Sequence, residues 1–187
     1  MIRAFIAIPF EDAAQSAIMK IVDELQRGAG HAVKWVDKDN LHLTLKFLGN
    51  INEDQIQRVK NAMDALKTID IFTMDLYGIG AFPSVTRPRV IWIGIKQKEE
   101  AKALFDRIEE SISDINREDR PFSAHITIGR VKDKFDSRGL EKVRNLWNDK
   151  IICRSIAERV TLFQSMLSPK GSVYRVLYEV NLKKEAL

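Results

Sequence analysis

The stretch Leu41-His42-Leu43-Thr44-Leu45-Lys46-Phe47-Leu48-Gly49 alternates in character. On an extended chain Leu41, Leu43, Leu45 and Phe47 share one face, and His42, Thr44 and Lys46 share the other. Gly49 and Asn50 end the run. Residues 123–131 repeat the scheme, with Ser123, His125, Thr127 and Gly129 on one face and Ala124, Ile126 and Ile128 on the other. Both stretches read as strands anchored through an apolar face that hold a His-x-Thr pair on the opposite one. The chain has three histidines and six threonines in 187 residues. On that composition, two histidines with Thr at the second following position arise by chance about 0.3% of the time. The shared frame is therefore a signal.

Working outward, residues 2–8 form an apolar, β-branched strand ended by Pro9. Ala14, Ile18, Ile21, Val22 and Leu25 recur at helical spacing, with Gly28 and Gly30 as stops. Residues 34–36 suit a short strand and 37–40 a polar turn. Asn52 with Gln55 has the form of a capping box before the helix face Ile56, Val59, Met63 and Leu66. Residues 70–77 read as a strand and 78–88, with Gly78, Gly80, Pro83 and Pro88, as a loop. The pattern then restarts. Residues 89–95 form a strand, and Leu104, Phe105, Ile108, Ile112 and Ile115 form a helix face. The second His strand follows, then a helix capped by Ser137. Residues 156–167 and 173–182 form a closing pair of strands around 168–171. Each half runs strand, helix, His-bearing strand, helix, strand. The expected organisation is one bilobal domain, 1–187, with pattern-level halves at about 1–80 and 89–187.

The 30 Lys+Arg and 26 Asp+Glu leave a net charge of +4. Residues 116–187 carry +6 against −2 in residues 1–115, and the basic part is a suitable seat for a polyanion. A lone Cys153 excludes an intramolecular disulfide framework and a four-cysteine zinc site, and it suits a reducing, cytoplasmic setting. No run approaches the roughly 20 apolar residues that span a bilayer.

A neutral and a protonated imidazole on either side of one substrate form a general base and a general acid. Two Thr hydroxyls beside them can donate to phosphate oxygens. A metal site is the rival reading. It is disfavoured because neither motif is His-x-His or His-Glu-x-x-His and no carboxylate shares either strand. His31 lacks the frame and reads as a loop residue.

These residues resemble the two-histidine phosphoesterases, specifically the RNA 2′,3′-cyclic phosphodiesterases, also called LigT-like proteins or 2′–5′ RNA ligases. The likeness runs over essentially the full length. It is carried by Arg3-Ala-Phe-Ile-Ala-Ile, His42-Leu-Thr-Leu-Lys-Phe-Leu-Gly, Pro88-Arg-Val-Ile-Trp-Ile-Gly, His125-Ile-Thr-Ile and the segment from Ser165 to Tyr174. It implies an α+β, bilobal fold of two pseudo-symmetric antiparallel sheets, flanked by helices, with a central cleft. It implies hydrolysis of RNA 2′,3′-cyclic phosphate ends to 2′-phosphates without metal or other cofactor, and 2′–5′ ligation as the minor reverse reaction. By the same likeness His42 is the proton donor and His125 the proton acceptor. Thr44, Thr127 and Arg130 are then phosphate or substrate contacts. The implied partner is RNA with a cyclic phosphate end, tRNA fragments included; no membrane partner is expected, and a monomer is the expected state. Strict alternation puts Arg130 opposite His125 unless Gly129 admits a bulge. It puts Phe47 in the core. Arg89 is expected in an ion pair. Relatives acting on 2′–5′ oligonucleotides or small cyclic phosphates, and a non-catalytic RNA-binding module, are the alternatives.

Overall fold

The computed structural model describes residues 1–29, 32–116, 121–133, 135–169 and 171–184. His31 lies outside them. Along the chain run β1 (Ile2–Pro9), α1 (Asp12–Ala29), β2 (Val33–Trp35), β3 (His42–Ile51), α2 (Glu53–Asp64), β4 (Phe72–Ser84), β5 (Arg87–Ile95) and α3 (Lys98–Ile112). Then follow β6 (His125–Val131), α4 (Ser137–Trp147), β7 (Ile151–Ala157), β8 (Arg159–Ser168) and β9 (Gly171–Asn181). Among the described residues the strands make two antiparallel sheets, ordered β3-β1-β8-β9 and β2-β6-β5-β4-β7. The fold is thus α+β. Helices α2 and α3 pack with the first sheet, α1 and α4 with the second, and the sheets meet where β3 contacts β6.

Local sequence explains most boundaries. Ala4 to Ile8 are buried without a break because β1 lies inside its sheet, between β3 and β8. The Asn52 side chain accepts from the Gln55 amide at 2.9 Å while Gln55 Oε1 accepts from the Asn52 amide at 3.0 Å, closing the capping box of α2. Helix α4 starts at Ser137, but Asp136 is its cap and accepts from the Arg138 amide at 3.0 Å.

Two expectations about the strands are corrected. Residues 78–88 are not a loop, since most of them form the facing arms of the β4–β5 hairpin. The turn-forming residues serve inside the strands: Gly78 takes φ +69° at a register shift, and Pro83 stands at another. The strand read over 156–167 breaks at Glu158, where the chain leaves β7 in the second sheet and enters β8 in the first. Nor do the sheets follow the boundary between the sequence halves. Strands β2 and β4 complete the second sheet, and β8 and β9 complete the first.

Gly80 is needed for close approach. A Cβ there would stand 2.1, 2.3 and 2.6 Å from three atoms of the Trp92 ring, which lies across it. Gly80→Ala is expected to cost about 1–3 kcal/mol through forced displacement of that ring. Urea denaturation of the two proteins measures it.

Candidate active site

The His strands share an irregularity that alternation hides. In β3, Lys46 pairs with Ile6 and Thr44 with Ala7, so Leu45 is an extra residue. In β6, Gly129 pairs with Ile91 and Thr127 with Trp92, so Ile128 is extra. A bulge at the third residue after each His inverts the parity beyond it. The fifth residue therefore returns to the His face. Phe47 is 46% exposed at the cleft and is not a core residue. Arg130 lines the same cleft and is not turned away from it. The fourth residue turns inward. Gly129 sits under Val33 and Trp35, where a Cβ would meet atoms at 2.8 and 2.9 Å. Lys46, read as sharing the His42 face, is buried instead, with its Nζ 2.6 Å from Glu109 Oε2 and 3.4 Å from the Asn116 carbonyl.

Both imidazoles are held in one way. His42 Nδ1 lies 2.7 Å from the Asn40 carbonyl and His125 Nδ1 lies 2.7 Å from the Ser123 carbonyl. A carbonyl only accepts, so each Nδ1 carries the proton and each Nε2 is left with its lone pair. Aromatic rings fix the planes. Phe5 and Tyr174 flank His42 at centroid distances of 4.8 and 5.5 Å; Phe82 and Trp92 flank His125 at 5.0 and 6.4 Å.

A cavity of about 440 Å³ is lined by His42, Thr44, Thr127 and Arg130, with Arg3, Phe47 and Tyr174 at its sides. His125 opens on an adjoining cavity of about 410 Å³ that shares Thr44 and Phe47 with the first. The two histidines are close enough for their charges to interact. Burial pushes His42 down from 6.5 to about 4; the Asn40 carbonyl opposes this, and the positive charge of Arg130 and of His125 adds to it. Burial also lowers His125, against the Ser123 carbonyl and with Arg130. At neutral pH the empty site thus holds two neutral imidazoles beside a guanidinium. This arrangement can bind an anion and move protons on either side of it. Among the described residues no group of three or more His, Cys, Asp or Glu side chains is placed to hold a metal ion. No helix there is long and apolar enough to cross a membrane.

Sequence reasoning singled out His42, Thr44, His125, Thr127 and Arg130; His42, Thr44, Thr127 and Arg130 line this cleft, and His125 lines the adjoining cavity that shares Thr44 with it. It missed Asn116, whose Nδ2 donates to the Phe47 carbonyl at 2.9 Å, and Asn40, whose Nδ2 donates to the Ser172 carbonyl at 2.9 Å. It also missed Arg3, Ser165 and Tyr174 as lining residues. The broken polarity at Lys46-Phe47 is the one sequence sign of the bulge. Arg89 forms no ion pair among the described residues and lines a separate surface cavity with Arg87 and Phe82.

Residues 8–92 match the family model described as LigT like Phosphoesterase. The RNA 2′,3′-cyclic phosphodiesterase of Archaeoglobus fulgidus is 34% identical, over 94% of this chain and 97% of that one. The protein of the same description from Methanocaldococcus jannaschii is 31% identical, over 95% and 99%. Among solved structures, TT0787 of Thermus thermophilus superposes with a TM-score of 0.78 at 26% identity, covering 98% of this chain and all of that one. Escherichia coli LigT complexed with 3′-AMP shares the fold, with a TM-score of 0.72 at 22% identity over 97% and 98%.

Proposed function

The chain belongs to the LigT-like phosphoesterase family, and on that premise we propose that it is an RNA 2′,3′-cyclic phosphodiesterase working by acid–base catalysis between His42 and His125. The observation that carries this reading is the matched pair of strands. Each holds a ring by Nδ1 on a backbone carbonyl, with Nε2 available, and each presents a Thr and a fifth-position side chain to one cleft. His125 Nε2 takes a proton from water as the water oxygen attacks phosphorus. The bond from phosphorus to the 3′-oxygen breaks, and His42, protonated at Nε2 from solvent in the active form, gives that oxygen its proton. The products are a 2′-phosphate and a 3′-hydroxyl. Thr44 and Thr127 donate to the non-bridging oxygens, and Arg130 balances their charge. Phe47 offers a ring face to the terminal base. Neither proton transfer calls for a metal or cofactor. With a 5′-hydroxyl in place of water as the attacking group, the same steps join RNA through a 2′–5′ bond, the minor activity. The substrates are RNA fragments such as tRNA halves, met in the cytoplasm by a monomer.

The direct experiment is hydrolysis of an RNA ending in a 2′,3′-cyclic phosphate in the presence of EDTA. A 2′-phosphate product with undiminished rate supports the reading. A 3′-phosphate product, or complete inhibition by EDTA, overturns it. Equal turnover of small cyclic phosphates and RNA favours a small-molecule substrate.

The lowered histidines set a pH dependence. The active form needs His42 protonated and His125 neutral. With His42 near 4, the acid-competent fraction of free enzyme falls as pH rises, so kcat/KM is expected to peak below pH 6.5 and decline above it. Arg130 lowers both rings. Arg130→Gln should therefore move both limbs of the kcat/KM profile to higher pH while weakening binding. A profile that drops in height without moving would count against that coupling.

A further inference from the structure

We propose that the catalytic cleft is one end of a continuous single-stranded RNA track, and that a neighbouring large cavity seats nucleotides on the 5′ side of the cyclic phosphate. This rests on the reading above that the substrate is RNA. That cavity, about 650 Å³, contains neither catalytic histidine nor either motif threonine. It is nevertheless joined to the site. The cavity at His125 shares Thr44 and Phe47 with the catalytic cleft and shares Phe122 and Ser123 with the large cavity. The three spaces therefore adjoin in series along the catalytic face of the second sheet.

Strand register explains the path. Gly94 pairs with His125 and Trp92 with Thr127, so Trp92 and Gly94 share the catalytic face. Gly80 pairs with Trp92 across β4 and, lacking a side chain, lets the indole lie flat across the sheet. Aromatic rings are spaced along the path at Phe47, Phe82, Phe122 and Trp92. Phe122 is fixed by stacking on Phe105, at 4.7 Å between centroids and 11° between planes. Ring faces beside cationic groups are what unpaired nucleotides recognise without regard to sequence.

The charge at the far end is complementary to a phosphate backbone. Lys98 and Lys102 of α3 and Arg144 of α4 line the large cavity, against one carboxylate, Glu99. Lys102 is paired with Asp106 at 2.6 Å, but both are about half exposed, so a phosphate can compete for the ammonium. The substrate has its cyclic phosphate at its 3′ end, so every remaining nucleotide lies on the 5′ side and needs a path away from the histidines. A cyclic mononucleotide occupies only the cleft.

The test is a ladder of RNAs from one to five nucleotides, each ending in a 2′,3′-cyclic phosphate. In the wild-type protein kcat/KM is expected to rise with length. In the Lys98→Glu, Lys102→Glu, Arg144→Glu variant, kcat/KM on the pentamer should fall about tenfold or more, while that on the mononucleotide stays within about twofold. The plot of log kcat/KM against log salt for the pentamer should become shallower by about 2, near 0.7 for each lost cation. A flat ladder in the wild type, or equal losses on monomer and pentamer, overturns the track. Photocrosslinking of wild-type protein, with 4-thiouridine two or three positions from the end, is an independent check. Adducts in the Phe122 or Trp92 segments support the track, and adducts confined to Arg87 and Arg89 overturn it. Failure to hydrolyse any member of the ladder counts against the proposed function itself, and the crosslink still reports on the track.

Discussion

Alanine at His125 is expected to lower kcat on a 2′,3′-cyclic phosphate roughly 10²–10⁴-fold, and alanine at His42 to do the same. The double variant should fall little further, because acid and base act in one transition state and their effects are not additive. The two single variants are separable by leaving group. On a diester with a good leaving group, such as p-nitrophenolate, departure needs no proton. The His42→Ala deficit should then shrink to a few-fold while the His125→Ala deficit persists, since water must still lose its proton. The opposite outcome would exchange the roles. Both variants should fold normally. Each ring gives up one hydrogen bond to a carbonyl beside an open cleft, so urea midpoints close to the wild type are the control.

The pair of histidines was legible because period-2 alternation and a repeated spacing are local properties of a chain. The same alternation misled beyond Thr44 and Thr127. A bulge depends on the partner strand, and neither β1 nor β5 is near its partner in sequence. Thus Phe47, apolar and in phase with three leucines, read as core, and Arg130 seemed to need a special reason to reach the cleft. The hairpin over 78–88 was hidden for a related reason. Gly78 and Pro83 signal turns wherever they stand, and only the paired strand shows that they mark bulges. The exchange of strands between halves was not legible at all. It is fixed by which sheet edge each hydrophobic strand reaches, a tertiary choice without a local signature. Tyr174 and Asn116 came to the site by that same closure of distant segments.

Glu109→Ala is expected to be the most destabilising substitution outside the apolar core, at about 3–5 kcal/mol. The Lys46 side chain is fully buried and the Glu109 side chain is 25% exposed. Removing the carboxylate strands an ammonium whose one other hydrogen bond among the described residues, to the Asn116 carbonyl, is long at 3.4 Å. Removing the ammonium is different, because the Glu109 carboxylate has water within reach. Lys46→Met keeps the buried chain length and should cost less, about 1–2 kcal/mol. Pairing it with Glu109→Leu should recover part of the loss, because no charge is then left unpaired. Urea midpoints ranked Glu109→Ala lowest, then Lys46→Met, then the double variant would establish that order, and a Lys46→Met protein less stable than Glu109→Ala would refute it. The ion pair also bears on the site. Lys46 holds the Asn116 backbone, Asn116 holds the Phe47 carbonyl, and Asn116 is kept at φ +51° where an unsupported chain seldom stays. The double variant, stable but without that tether, should therefore show a raised KM for RNA with kcat nearly unchanged. That split marks Lys46 as a positioning residue for the cleft rim and leaves the proton transfers to the histidines.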